Sequence, residues 1–309
     1  MVKTLALVGL NNSHPYIFGG LVNGGVREKF VSNSPQWTHK LFPDHDWEGE
    51  FSESWRFTRA WARDRGFAAR VAEAVKVDKL VDTLQQAAEE TTAAFVCDMW
   101  GEYHREQAFA FLERGKPVFV DKPLAESTAD ARAMIEAARA NRTTLSTCSS
   151  LRYDPQLLKL KKNISSKIGK PSIVTVCCPC YQDLARYSVH GIEILLELMG
   201  GQRVARVRNI GTSTRRHLIF VEFADGACGV IHSWEDHPYS VTVTGPGGQE
   251  VAVLGSHESF KLMVAAILAS FESGEPVVPN EEALEVVKVI EAATVSQAEG
   301  GIPVAITEN

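Results

Sequence analysis

The sequence predicts two α/β domains: a doubly wound parallel sheet, then a second domain built on a largely antiparallel, open sheet. Three observations carry this reading. The chain has 309 residues, past the size at which a single hydrophobic core stops growing. Its first half repeats a short apolar strand followed by a helical stretch, the pattern of parallel βαβ units. Its second half strings strands together on turn signals with no long helix between them, and only then runs into two helices. The boundary falls near Ser150, which divides the chain into residues 1–150 and 151–309.

The elements follow in order. "TLALVGL" is the first strand and "HPYIFGGLVNGG" its helix. "RFTRAWA" precedes the helical "GFAARVAEAV", and "AAFVCDM" precedes "YHREQAFAFLERG", which Gly115 closes. "KPVFVD" leads to a helix opened by Ser127, with Asp130 three residues on in a capping-box pattern. "TTLSTCSS" is the last strand of this half. In the second half "PSIVTVCCPCYQ", "VARVRNIGTS", "HLIFVEFADGACGVIHSW" and "YSVTVTGPGGQEVAVLG" are strands, turned at Ala224-Asp225-Gly226 and at 245–248. The two closing helices are "HESFKLMVAAILASFESG" and a segment from Asn280 to a Gly300-Gly301 stop.

Composition narrows the function. A net charge of -6 argues against nucleic acid as a partner, and no apolar run is long enough to span a bilayer. The six cysteines sit mostly within strand-like runs rather than in a disulfide framework, and "MVKTLALVGL" is too soon broken for a signal peptide. The expected setting is reducing and cytoplasmic. Cys177, Cys178 and Cys180 form a lone "CCPC" with no second pair, so no metal is expected. Asp44, His45 and Asp46, in the 41–51 insertion, read as a solvated loop sooner than as a cap over a cleft.

In doubly wound sheets ligands bind beyond the carboxyl ends of the strands. Gly9, Ala62, Asp98 and Lys122 lie at four such ends. The loop after the first strand reads Gly9-Leu10-Asn11-Asn12-Ser13-His14, one glycine of the three in a dinucleotide fingerprint. Asn11 tolerates the turn, and Asn12 and Ser13 can donate to a phosphate. After the second strand comes Ala62-Arg63 where an NAD site places a carboxylate, and an arginine there suits a 2′-phosphate. The fourth strand of the alternation, "KPVFVD", stops on Asp121-Lys122-Pro123.

The stretch "DMWGEYHREQAFAFLERGKPVFVDKPLA" resembles the signature of the glucose–fructose oxidoreductase, inositol dehydrogenase and rhizopine-catabolism (Gfo/Idh/MocA) family. "RYDPQLLKLKK", "YSVHGIEILLELMG" and the closing helix follow in the family's order. The resemblance implies a Rossmann domain, a second α/β domain whose open sheet forms an oligomer interface, and NAD(P)-dependent redox chemistry on a sugar, polyol or related compound. It places the family's lysine on Lys122, with Asp121 for the usual Glu, and its second-domain histidine on His190, with the following acid on Glu193. His104 matches the histidine that opens the helix, with the preceding Pro-Asn replaced around Trp100. Arg186 stands where the family often has Asp. Lys122 and His190 are then the catalytic pair, suited to proton transfer. Glu193, Tyr187, Arg152, Tyr153 and Arg186 are the candidate substrate contacts. The cofactor contacts are Gly9, Asn11, Asn12, Ser13, His14, Ala62, Arg63, Asp98, Trp100, His104 and Asp121. The expected cofactor is NAD(P), leaning to NADP through Arg63, and the expected assembly is a dimer or tetramer of this chain. Two other readings compete: a non-catalytic nucleotide-binding sensor, and a redox-neutral hydrolase or lyase with a tightly held nucleotide.

Overall fold

A computed structural model describes residues 2–39 and 52–307, so the segment bearing Asp44, His45 and Asp46 lies outside the described residues. In chain order the elements begin β1 (Lys3–Val8), α1 (His14–Asn23), α2 (Arg27–Asn33), α3 (Gln36–His39), β2 (Trp55–Trp61), α4 (Arg65–Ala74) and β3 (Lys79–Leu80). They continue with α5 (Leu84–Glu90), β4 (Ala93–Val96), α6 (His104–Leu112), β5 (Val118–Val120), α7 (Thr128–Ala140) and β6 (Leu145–Ser146). The six strands form one parallel sheet in the order β3-β2-β1-β4-β5-β6. The strand order reverses between β1 and β4, the switch point where such sheets open a crevice. The strands are buried on both faces, as sheets covered by helices on both sides must be.

The rest of the chain comprises α8 (Pro155–Asn163), β7 (Ile173–Pro179), α9 (Val189–Met199), β8 (Val204–Asn209), β9 (Arg216–Phe223) and β10 (Cys228–Trp234). After these come β11 (Ser240–Gly245), β12 (Gly248–Val253), α10 (Glu258–Ser273), α11 (Asn280–Ala298) and β13 (Val304–Ala305). Seven strands form a mixed sheet, β12-β11-β7-β10-β9-β8-β13, in which β7 and β10 alone run parallel. One face of this sheet packs on α9 and α11 through Val174, Val176, Ile219, Val221 and Ile231. The other face is open. The register lines up Val251, Thr242, Thr175, Val230 and Phe220 across it, with Val251 and Phe220 exposed.

The chain divides into two compact units, residues 1–125, 129–147 and 260–280 in the first, and 126–128, 148–259 and 281–309 in the second. Most of α10 therefore belongs to the first unit, although it follows β12 in sequence. Phe260, Met263, Val264, Ile267, Leu268 and Phe271 recur at helical spacing and make one apolar stripe. Phe260 meets the rings of His14 and Phe18, and Phe271 meets Trp55 and Phe95. The stripe announces that the helix packs. It does not announce on which unit.

Candidate active site

The first unit gathers its functional side chains at strand ends. Gly9 closes β1 with φ +74, and a Cβ there would lie 2.6 Å from the Asp98 nitrogen, so only glycine fits. Asn11 replaces the second fingerprint glycine and works as a brace. Its Nδ2 donates to Asp98 Oδ1 at 2.8 Å, and its Oδ1 accepts from the Met99 amide at 2.7 Å. Asn12 donates to the Cys97 carbonyl at 2.5 Å and accepts from the His14 amide at 2.8 Å. The amide of His14 is thus taken, and Pro15 has none. The start of α1 therefore offers a phosphate the Ser13 hydroxyl, which makes no capping bond, and the Tyr16 amide. A nucleotide site of this type fits the Gly9 turn and helix start, with fewer backbone donors than a full glycine fingerprint provides.

Asp98 is nearly buried, and its carboxylate is committed. Besides Asn11 it accepts from the Trp100 amide at 3.1 Å and from Gln107 Nε2 at 2.8 Å, and Arg63 lies 3.7 Å away. His104 has no exposed surface. Its Nε2 meets the Asp98 carbonyl at 2.8 Å, and its Nδ1 meets the Pro123 carbonyl at 3.0 Å. It therefore ties the loop after β4 to the loop after β5. Any effect it has on a cofactor passes through those loops. Asp121, also buried, meets His14 Nδ1 at 2.5 Å and accepts from the Lys122 amide at 3.0 Å. Burial pushes the Asp121 carboxyl up, but His14, Lys122 and His104 outweigh it and hold it below the usual carboxylate range. Lys122 follows at once, before a cis bond to Pro123. Ala62 is buried at the end of β2, and Arg63 stacks 3.9 Å over the Tyr103 ring while pairing with Glu106 at 2.6 Å.

The second unit builds a different device. A five-residue π-helical turn, 184–188, carries Arg186 and Tyr187 into the start of α9. Such turns recur at functional sites. Arg186 pairs with Asp183, and Tyr187 packs edge-on against Tyr181 at 5.4 Å. His190 sits in the first turn of α9. Its Nδ1 meets Ser149 Oγ at 2.7 Å, and its ring packs edge-on to Tyr239 at 5.7 Å. Gly191 lets α9 lie close on the sheet, since a Cβ there would approach Ile231 to 2.8 Å and Cys178 to 3.0 Å.

Glu193 and Arg152 lie beneath the surface, joined at 2.6 Å. Arg152 also pairs with Glu197 and, at 2.7 Å, with Glu282. Burial works against the guanidinium charge, but Glu193, Glu282 and Glu197 outweigh it and raise its pKa. Tyr153 is partly buried, which pushes its phenol up. Cys177 and Cys178 point to opposite sides of β7, and Cys178 is pushed up to about 12 by burial. All six thiols are free, and among the described residues no three potential ligands cluster.

The structure thus brings together Gly9, Asn11, Asn12, His14, Asp98, His104 and Asp121 in the first unit, and Ser149, Arg152, His190 and Glu193 in the second. Sequence reasoning missed Gln107 and Ser149. Ser149 follows the end of β6, so the strand-end rule that found Asp98 and Lys122 reaches it too.

Residues 44–148 match the model of the oxidoreductase family with an NAD-binding Rossmann fold, Gfo/Idh/MocA. The matched residues are about a third of the chain, and over them the chain is similar to that family. The inositol 2-dehydrogenase of Paracoccus denitrificans (strain Pd 1222) is 38% identical over 86 residues, 28% of this chain and 25% of that one. The scyllo-inositol 2-dehydrogenase (NADP(+)) of Bacillus subtilis (strain 168) is 39% identical over 66 residues, 21% of this chain and 20% of that one. The match to such curated relatives thus spans about a quarter of their length. Over its full length the fold is that of the myo-inositol dehydrogenase from Lactobacillus casei solved with NAD(H) and myo-inositol. The TM-score is 0.81 and the identity 14%, over 100% of this chain and 98% of that one. The family match begins after the β1 loop, where this chain has replaced two fingerprint glycines by asparagine and histidine.

Proposed function

We propose that this chain is an NAD(P)-dependent dehydrogenase of a sugar, polyol or related carbohydrate-like substrate, with Lys122 and His190 in the proton transfer. The observation that carries the reading is Asp121-Lys122-Pro123 at the carboxyl end of β5, braced by His14 at the start of α1 and by His104 at the start of α6. A bound nicotinamide supplies one thing, a hydride acceptor. The chain's own residues do the rest. The Gly9 turn and Ser13 hold the pyrophosphate at the start of α1, and Arg63 takes the 2′-phosphate of NADP. Asp121 orients the surroundings of Lys122, whose amine takes the proton of the substrate hydroxyl. Tyr187 and Arg186, delivered by the π-helical turn, contact the substrate.

The open face of the second sheet, with Ile173, Phe220, Val251 and Val253 exposed, supports a homo-oligomer assembled through it. The deciding experiment follows the absorbance of reduced nicotinamide with NAD and NADP across a panel headed by myo- and scyllo-inositol. Cofactor-dependent turnover supports the dehydrogenase. Nucleotide binding without turnover of any panel member supports the sensor reading.

A further inference from the structure

Ser149 has no exposed surface, and its hydrogen bonds determine where its hydroxyl proton goes. The Leu151 amide donates to Oγ at 3.2 Å, which uses one lone pair. Ser149's own amide donates to Glu193 Oε2 at 2.8 Å, which fixes its backbone. The remaining partner of Oγ among the described residues is His190 Nδ1 at 2.7 Å. A hydroxyl has one proton to give, and burying it without an acceptor costs about 1–3 kcal/mol. The proton must therefore point at Nδ1. A ring nitrogen that accepts carries no hydrogen, so the neutral imidazole keeps its own on Nε2.

From this the structure assigns Ser149 as the positioning residue that holds His190 in the Nε2–H tautomer, so that on the proposed dehydrogenase reading the ring donates a hydrogen bond to the substrate oxygen instead of taking its proton. A carboxylate partner would do the opposite. It would accept from Nδ1–H and leave a lone pair on Nε2, ready to take a proton. The position where the family often has that acid is Arg186 here, and its guanidinium is paired with Asp183. Edge-on packing against Tyr239 and the close seat of Gly191 fix the ring in the plane that Ser149 reads.

The assignment rests on the dehydrogenase reading for its kinetic consequence. A bound oxidised nicotinamide would supply the acceptor for the hydride that leaves the substrate C–H bond. On the proposed reading the O–H proton passes to the Lys122 amine. The part of His190 in that transfer is the hydrogen bond its Nε2–H gives to the oxygen as the proton leaves for Lys122. Reduction runs the same bonds backwards.

Long-range proton–nitrogen spectra of protein carrying ¹⁵N-histidine, in mildly alkaline buffer, test the tautomer without cofactor or substrate. His190 is identified by the signal that His190→Gln removes. The wild type should show a pure Nε2–H pattern, Ser149→Thr should keep it, and Ser149→Ala should relax to a mixture of tautomers. A wild-type proton on Nδ1 overturns the assignment, and so does a Ser149→Ala spectrum identical to wild type. In turnover, His190→Gln, whose amide still donates, should stay within roughly tenfold of wild type, while His190→Leu should lose roughly 10²-fold. Equal losses in both variants overturn the donor role. A pure Nε2–H spectrum in a protein that turns over no polyol would uphold the tautomer and refute the dehydrogenase reading instead.

Discussion

The strand-end loops of the first unit and the start of α9 in the second both present a titratable side chain, but they hold it by different means. In the first unit the braces are many and neutral or singly charged: Asn11 and Asn12 tie the β1 loop to the end of β4, Gln107 ties α6 to Asp98, and His104 ties the loop after β4 to the one that bears Lys122, mostly through backbone groups. Around His190 the brace is one buried cation. Arg152 holds Glu193, Glu197 and Glu282, Glu193 holds the Ser149 amide, and Ser149 holds the imidazole. A web of many small bonds tolerates the loss of any one. A hub does not. The first device therefore separates chemistry from folding, and the second couples them.

The largest expected effect exploits that separation. Lys122→Met should lower turnover by roughly 10²–10⁴-fold, the range for lost acid/base catalysis, with folding and nucleotide binding nearly unchanged. On the proposed mechanism His190→Ala should also impair turnover, and the double variant should lose less than the product of the two single losses. Steady-state rates with a nucleotide titration on each variant check both statements. Turnover at the wild-type level in Lys122→Met would return Asp121-Lys122-Pro123 to the status of a turn.

The hub should break the fold. Arg152→Met removes the cation from among Glu193, Glu197 and Glu282 and leaves Glu193 buried without it. Breaking a buried pair in this way costs about 3–5 kcal/mol. Asn11→Ala, by contrast, deletes two bonds in the web and should cost on the order of 1–3 kcal/mol. Denaturant unfolding of the two variants side by side makes the comparison, and equal stability losses would erase the distinction between web and hub.

How much of this was legible follows the same division. The first sheet was readable because each βα unit is local: apolar strand, turn and helix lie within a few dozen residues, and the strand-end rule then names Gly9, Ala62, Asp98 and Lys122. The short α2, α3, α5 and β3 were not read. "LQQAAEE" of α5 is a single pair of turns capped by Thr83, too brief for its periodicity to stand out. Partners across long separations were invisible. Nothing in the string pairs Ser149 with a histidine 41 residues on, or seats α10 on the first sheet. Arg152 was named for its place at the start of the second domain and Glu193 for its place after the histidine of the motif, and the two pair with each other beneath the surface. Charge in a sequence says that a partner is needed, and burial decides which.

A smaller effect appears in acid. The Asp121 carboxyl is held below its unfolded value, so it contributes stability that is present above the unfolded value and lost as pH falls through the folded one. The window lies below roughly pH 4, where carboxylates ordinarily protonate. Asp121→Asn removes that titration. Its stability should therefore fall less steeply than the wild type's as the pH drops from about 5 to about 3, read by denaturant midpoints along the series. Parallel curves would mean that the His14–Asp121 contact stabilises nothing.

The smallest expected effect concerns a single ligand. Arg63 is the group proposed for a 2′-phosphate, and a charge-assisted bond of that kind is worth about 1.5–3 kcal/mol, a factor of ten or more in affinity. Here the arginine is partly exposed and already pairs with Glu106 at 2.6 Å and with Asp98 at 3.7 Å. A phosphate must displace Glu106 to reach it, so the gain should fall to the low end. Arg63→Ala is expected to weaken NADP by roughly tenfold and leave NAD unchanged. Glu106→Gln, which frees the guanidinium while keeping the size of the side chain, should strengthen NADP alone. Fluorescence titration of both nucleotides against the three proteins decides. If Arg63→Ala weakens the two nucleotides equally, the arginine is a brace like its neighbours, held by Tyr103 and Asp98, and the choice of cofactor lies elsewhere in the loop.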